Sequence, residues 1–308
     1  MHVHEIFAPP DEVTLKMMRK DLNEDPKRLE RQMELFKEWL RCEPHLPEHV
    51  DDHLIENFVR HCKCDLEKAK KKFENFLISR INLKTYYKDR DITDSYFDDI
   101  ELHRHIAAWP KLTPEGFRIG YARLKEDVNT FDFARLFHLV LIMLDVILAE
   151  DTCAGYIGVL DLKNLSAQHI GKINFKILAA GLHLIYNVAP CRFKSMHFLN
   201  VPYIPEPLIA LIKKFVPAKI INRAYGHKNI EELSKYVTKD YLPKEYGGST
   251  VAFNDLSDNI KRYLLDNRKW ESKVLDLKLS GDVPNRKRDI YSFEDFEMGG
   301  SFRQLSID

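Results

Sequence analysis

Apolar side chains recur at spacings of three and four through the first quarter of the chain. Leu29, Met33, Phe36 and Leu40 follow Asp25-Pro26, an N-cap and first-turn pair, and the run stops before Pro44. That spacing predicts an amphipathic helix. A second helix is expected over about 51–61. A third opens after Asp65, with Leu66, Ala69, Phe73 and Phe76 on one face and Lys68, Lys70, Lys71 and Lys72 mostly on the other. Amphipathic helices so closely spaced predict a small helical bundle.

The pattern then changes. Short apolar segments at 106–109 and 117–124 read as strands, and 131–150 as a very apolar helix. Gly155 to Asp161 reads as a buried strand ending in a polar residue. Helices are expected at 168–186, 208–215 and 256–270, with a strand at 195–199. Strands alternating with helices of this length predict an α/β domain with a mostly parallel sheet. The helix at 131–150 is apolar nearly all round, from Phe133 and Phe137 through Val140, Leu141 and Leu144. Such a helix is buried on all sides or borders an apolar cavity. Its longest apolar run, 136–149, is interrupted by His138 and Asp145 and is too short and polar to span a bilayer.

Charge adds a second pattern. The chain has 308 residues, with 47 Lys and Arg against 47 Asp and Glu. Zero net charge disfavours a nucleic-acid binder that works through bulk charge. The neutrality conceals segregation. Residues 89–101 hold six acidic side chains and one basic, read as a solvated loop, while 192–228 hold seven basic and one acidic. The N-terminal segment has no charged region followed by an apolar one, so no secretory signal is expected. Five scattered cysteines fit reduced thiols and a cytoplasmic location.

Catalytic signatures are missing: no nucleophile elbow, phosphate loop or dinucleotide turn, and only 12 glycines. Glu101, His103 and His105 would share one face of a strand, but no fourth metal ligand is nearby. Cys62 and Cys64 are too close for a zinc knuckle. Neither group is expected to hold a metal, and no cofactor is expected. An enzyme acting on a lipid would have only His103, His105 and His227 to support it.

Three segments carry a resemblance: GYIGVLDLKNLSAQHI (155–170), APCRFKSMHFLNVPYIPEPLIALIKKFVPAKI (189–220) and YLPKEYGGS (241–249). In this order they resemble the CRAL-TRIO, or Sec14-like, lipid-binding domain. Residues 35–77 resemble the helical CRAL-TRIO N-terminal domain. The closing GSFRQLSID (300–308) is similar to tails of insect members related to α-tocopherol transfer and retinaldehyde-binding proteins. The resemblance implies an N-terminal helical domain over 1–88, a lipid-binding domain over 89–250 with an enclosed apolar cavity, and a C-terminal helix and polar tail over 251–308.

It also implies roles for residues. The cavity wall would comprise Phe133, Phe137, Val140, Leu141 and Leu144 on the first helix, and Tyr156 and Leu160 on the next strand. Gly181, Leu184 and Ile185 would follow on the second helix, and Cys191, Phe193 and Met196 around the last strand. Val140 and Leu144 stand where tocopherol transfer protein has two serines near the tocopherol hydroxyl, which disfavours vitamin E itself. Tyr156, Tyr186 and His183 are the candidate polar anchors. Ile204, Leu208, Leu211, Ile212 and Phe215 would form a mobile gate helix. Arg192, Lys194, Lys219 and Arg223, with Arg60 from the N-terminal domain, would hold a phosphoinositide head group.

The function so implied is non-enzymatic. A monomeric carrier would hold a small hydrophobic ligand (a retinoid, carotenoid, tocopherol or other isoprenoid-like lipid) and release it at membranes bearing anionic phosphoinositides. No nucleic-acid partner is expected. The alternative is a lipid-sensing interaction module whose partner surface uses the tail with Arg286, Lys287 and Arg288.

Overall fold

The computed structural model describes residues 6–83, 102–266, 274 and 277. The acidic segment 89–101 and the tail, including 286–288 and 300–308, lie outside the described residues. Four helices open the chain: α1 (Glu12–Leu22), α2 (Pro26–Cys42), α3 (Asp52–His61) and α4 (Leu66–Asn82). Each begins at an aspartate whose carboxylate accepts backbone N–H groups of the first turn: Asp11, Asp25, Asp51 and Asp65. The bundle core is aromatic. Phe73 packs edge-to-face on Phe36 at 5.4 Å and on Phe58 at 5.1 Å. The expected three helices are present. Helix α1 was not anticipated, because it buries only Met18 and Leu22 while Val13 and Met17 stay exposed.

The α/β region contains β1 (Ile106–Ala108), β2 (Phe117–Arg123), α5 (Phe133–Glu150), β3 (Gly155–Asp161), α6 (Ala167–Gly171) and α7 (Phe175–His183). A π-helical turn, Leu184–Val188, extends α7. Then come β4 (Phe193–Leu199), α8 (Glu206–Phe215), α9 (Ala218–Ile221), β5 (Ala224–His227), α10 (Ile230–Leu233) and α11 (Phe253–Asp266). The single helix expected over 168–186 is in fact two. Asn174 interrupts it and caps α7 by accepting from Lys176 N and Ile177 N. Strand β4 starts two residues before the expected 195, and β5 was not anticipated. Helix α11 starts at Phe253 rather than 256, and the expected end over 267–270 lies outside the described residues.

The five strands follow sequence order, β1 antiparallel to β2 and the other three pairs parallel. Right-handed crossovers in a sequentially ordered sheet place the connecting helices on one face. Helices α5 and α7 cover that face. The segment from Leu233 to Leu256 covers the other, packing Leu233, Leu242, Tyr246 and Phe253 on Trp109, Ile119, Tyr121 and Val159. Among the described residues, no helix is long and apolar enough to cross a membrane.

Candidate functional site

Between the sheet and helices α5 and α7 lies a cavity of about 450 Å³, within the size range of small-molecule sites. Its floor follows from strand alternation, with a register shift at Tyr156/Ile157 that brings both Phe193 and Met196 of β4 to the cavity. Ile106 and Ala108 on β1, Arg118, Gly120 and Ala122 on β2, Tyr156, Gly158 and Leu160 on β3, and Phe193 and Met196 on β4 line it. Small residues adjoin in register: Ala108 opposite Gly120, Gly120 opposite Gly158. The roof is a helical stripe, Phe133, Leu136, Phe137, Val140, Met143, Leu144 and Ile147 of α5, at the three-and-four spacing of one helix face. Leu178, Gly181 and Leu182 of α7, with Ile185 of the π-helical turn, complete it. At Gly181 a Cβ would lie 2.7 Å from Phe137 Cε2, so glycine lets the two roof helices approach.

Eleven of the thirteen expected wall residues lie on this lining; Leu141 and Leu184 do not. Leu141 is one residue beyond Val140, about 100° round the helix, and packs into the core with Ile142. That side of α5 carries Asp145, fully buried and paired with Arg80 at 2.9 Å. Helix α5 is therefore apolar all round for two reasons: one side roofs the cavity and the other joins the core. Leu184 likewise turns off the stripe of Leu178, Gly181 and Ile185 and is buried in the core. Sequence reasoning missed the contribution of β1 and β2. The alternation of Arg118, Gly120 and Ala122 along β2 was the available signal.

Charge is nearly absent from the lining. Arg118 is its one guanidinium, and it is already matched: Nη2 donates to Asp151 Oδ1 at 2.7 Å and Nε to Oδ2 at 3.1 Å. Its Nη1 donates to the carbonyls of Trp109 and Pro110. Burial raises the Tyr156 phenol well above its ordinary range and pushes the Cys191 thiol up to about 12, so both stay neutral. Tyr186 also lines the cavity; His183 does not.

The expected gate residues stand one layer further out, and none lines the cavity. Leu208 and Leu211 are buried, and α8 packs against α7. Asn187 Nδ2 donates to the Phe215 carbonyl at 2.8 Å, tying the end of α8 to the π-helical turn. The outward side near the start of α8 exposes Val201, Tyr203 and Ile209, with Lys213 and Lys214 beyond them.

The basic residues cluster, with one correction. Lys219 is held below its ordinary range first by Arg223, then by partial burial and by Lys68, Lys63 and Arg192. Lys63 and Lys68, from the α3–α4 corner, were not anticipated. Arg60 is not part of the cluster. It is 3% exposed, and its Nε donates to Glu24 Oε2 at 2.6 Å, with Glu56 at 3.2 Å from Nη1. A guanidinium so enclosed is neutralised inside the bundle and cannot reach a head group. Asp21 of α1 enters the cluster instead and pairs with Arg192. Partial burial alone would raise the Asp21 carboxyl, but Arg192, Lys63 and Lys194 outweigh it and hold it low.

The remaining candidates lie elsewhere. His103 and His105 sit in a 3-10 turn rather than on one strand face, so they point apart: His103 Nε2 meets Asp258, and His105 Nδ1 meets the Arg123 carbonyl. Glu101 lies outside the described residues. His227 pairs with His197 on the face of the sheet away from the cavity. Cys62 and Cys64 are buried free thiols.

A family model described as the CRAL/TRIO domain matches residues 102–248, the region that builds most of the cavity, to which Phe7 and Ile260 also contribute. The chain carries a CRAL/TRIO domain. Residues 25–97 match a Pinta-like UBA domain model, which covers α2 to α4. An alpha-tocopherol transfer protein-like protein of Homo sapiens is 27% identical over 241 residues, 75% of this chain and 68% of its own length. Clavesin-1 of Xenopus laevis is 24% identical over 268 residues, 82% of this chain and 77% of its own. Clavesin-2 of Mus musculus is 21% identical over 308 residues, 90% and 89% of the two chains. The crystal structure of Sfh5 covers 85% of this chain and 99% of its own at 15% identity, with a TM-score of 0.44. CRAL/TRIO domains form a family of lipid-binding and lipid-transfer modules.

Proposed function

We propose that the protein is a non-enzymatic, cytoplasmic carrier. It holds one small hydrophobic lipid of retinoid, carotenoid, tocopherol or other isoprenoid type and delivers it to membranes bearing phosphoinositides. The observation that carries this reading is the cavity, with apolar side chains on floor and roof and its one guanidinium internally neutralised. Each methylene moved from water into such a lining contributes about 0.8 kcal/mol. No catalytic constellation is needed for this task.

Delivery requires a state favoured only at a bilayer. Helix α8 suits that role from outside the cavity. Its buried Leu208 and Leu211 support α7, and its exposed Ile209 and neighbouring Tyr203 offer apolar contact to lipid. Moving α8 outward withdraws support from a wall of the cavity, and the bilayer compensates for the exposed leucines. The cluster of Lys63, Lys68, Arg192, Lys194, Lys219 and Arg223 biases docking toward anionic head groups.

A transfer assay tests this reading. Donor vesicles loaded with fluorescent retinoid or tocopherol are mixed with acceptors with or without phosphatidylinositol bisphosphate. Protein-dependent transfer that accelerates with the phosphoinositide is expected. Failure to move any apolar probe would contradict the carrier reading; transfer indifferent to the phosphoinositide would contradict the docking step.

A further inference from the structure

We propose that Phe7 sets the length of ligand the cavity accepts, its ring closing the end of the cavity at the starts of β2 and β3. This rests on the carrier reading and deepens it by naming the residue that decides ligand size.

The cavity is elongated under its roof. From Phe133 to Ile147 the lining stripe of α5 runs about 21 Å at the helical rise per residue. Its far end, where α5 finishes and β2 and β3 begin, takes part of its wall from outside the matched CRAL/TRIO region: Phe7, from the segment before α1. Helix α11 runs back along the sheet to the same end. Its first residue, Phe253, lies under Arg123 at 3.8 Å, at the finish of β2. Ten residues later, burial and then Glu150 and Asp151 raise the Tyr263 phenol, which places Tyr263 beside the finish of α5.

The Phe7 ring fills the gap between these walls. Tyr263 meets it edge-on at 5.3 Å, and the Arg118 guanidinium lies over it at 5.5 Å. Arg118 is itself fixed by Asp151, the residue that ends α5. Ile6 is 2% exposed and joins the core cluster that holds Ile260 and Leu264 of α11. Beyond Phe7, the exposed Pro9 and then Pro10 lead to the Asp11 cap of α1. The segment is thus pinned on both sides of Phe7, and the half-buried ring stands between the cavity and the protein surface. A ligand reaching beyond Ile147 would run into it. The ring can yield only by giving up Tyr263 and Arg118, and forcing extra carbons into a packed wall is unfavourable. Phe7 lies outside both family matches, so the end-stop is not part of either matched domain.

A graded isoprenoid series reads the limit directly. Equimolar geranyl, farnesyl, geranylgeranyl and geranylfarnesyl acetates in neutral phosphatidylcholine vesicles are equilibrated with the protein, which is then separated, extracted and analysed by gas chromatography. Each ester's share of the total bound gives a length profile that does not depend on how much of the protein is folded. The wild type is expected to show a boundary, the first excluded ester binding about fivefold less than its shorter neighbour, or weaker still. Removing the ring frees about the room of one isoprene unit. Phe7→Ala should therefore move the boundary up by one member and raise that ester's share about fivefold. Phe7→Leu should raise the same share by less, and guards against a folding defect of the alanine variant. Phe7→Trp should lower the share of the longest ester the wild type accepts. An unchanged boundary in the alanine and leucine variants, an equal loss of every ester from both, an upward move in the tryptophan variant as well, or equal uptake of all four esters by the wild type would overturn the end-stop while leaving the carrier reading intact. Failure of all four to enter the wild type would defeat the carrier reading and the end-stop with it.

Discussion

The two faces of the sheet are built from the same strands and differ in what neighbouring residues leave behind. On the cavity face Ala108, Gly120 and Gly158 stand in register, followed by Met196. One residue along each strand, the other face presents Ala107, Tyr121, Val159 and His197 in register, with Trp109, Tyr246 and Phe253 packed over them. Strand alternation sends successive side chains to opposite sides. A single sheet can thus carry a solid core on one side and ligand space on the other. The two floor glycines differ in kind. A Cβ at Gly158 would lie 2.6 Å from Met196 Sδ, so the flexible end of Met196 fills the space a side chain would need there. A Cβ at Gly120 would meet nothing within 4 Å, so its missing side chain is volume given to the cavity.

The comparison can be broken most strongly on the packed side. Trp109→Ala should destabilise the fold by about 3–5 kcal/mol, the range for a large aromatic removed from a core. Urea denaturation reads the loss, and ligand capacity per folded molecule should persist. A similar capacity loss would mean that the faces are not independent.

Charge reversal at Lys219 and Arg223 should touch neither face. At ~1 kcal/mol per basic residue lost near an anionic surface, the double change to glutamate should weaken binding to phosphoinositide vesicles by roughly 30-fold or more, with ligand uptake unchanged. Vesicle sedimentation and uptake measured side by side decide this, because a parallel fall in both would make the two residues structural.

Acid should act on the packed face. Burial, and next the His227 ring at 2.9 Å, lower His197 to about 4. Ser195, Tyr225 and Tyr236 complete its surroundings, and Glu232 lies near His227. The folded state therefore holds His197 neutral while the unfolded chain takes up a proton near its ordinary value of 6.5. The associated stability is present above that pH and is lost as pH falls toward 4, by about 1–2 kcal/mol. His197→Gln should flatten that part of the stability profile; an unchanged slope would assign it to other groups.

The smallest effect concerns Asp21, which pairs with Arg192 and would compete there with a head group. Asp21→Asn should strengthen binding to anionic vesicles about threefold, the upper range for a partly exposed pair. Weaker binding would show instead that Asp21 positions Arg192.

Much of this arrangement was legible from local patterns. The Asp25 cap and the three-and-four spacing marked α2, the apolar face after Asp65 marked α4, and the all-round apolarity of α5 pointed to a helix buried on all sides or bordering a cavity. Local patterns do not carry distant partners. Arg60 reads as one more surface arginine until Glu24, 36 residues earlier, encloses it. Leu141 and Val140 are chemically similar neighbours, separated in role by the angle between successive helical residues. The β1–β2 half of the floor depends on register, which sets Ala108 beside Gly120 and cannot be read from either segment alone. Strand β5 exposes three of its four residues, so no apolar alternation announced it.

The cavity face is tested most directly by what it holds. Wild-type protein and Gly120→Leu are purified from the same cells without detergent, extracted, and their lipids quantified by mass spectrometry per mole of protein. The expected result is a near-stoichiometric apolar lipid in the wild type and its loss from the variant, with melting temperatures alike because Gly120 faces open space. Wild-type protein without lipid, or equal lipid in both, would contradict the assignment of that face to a ligand.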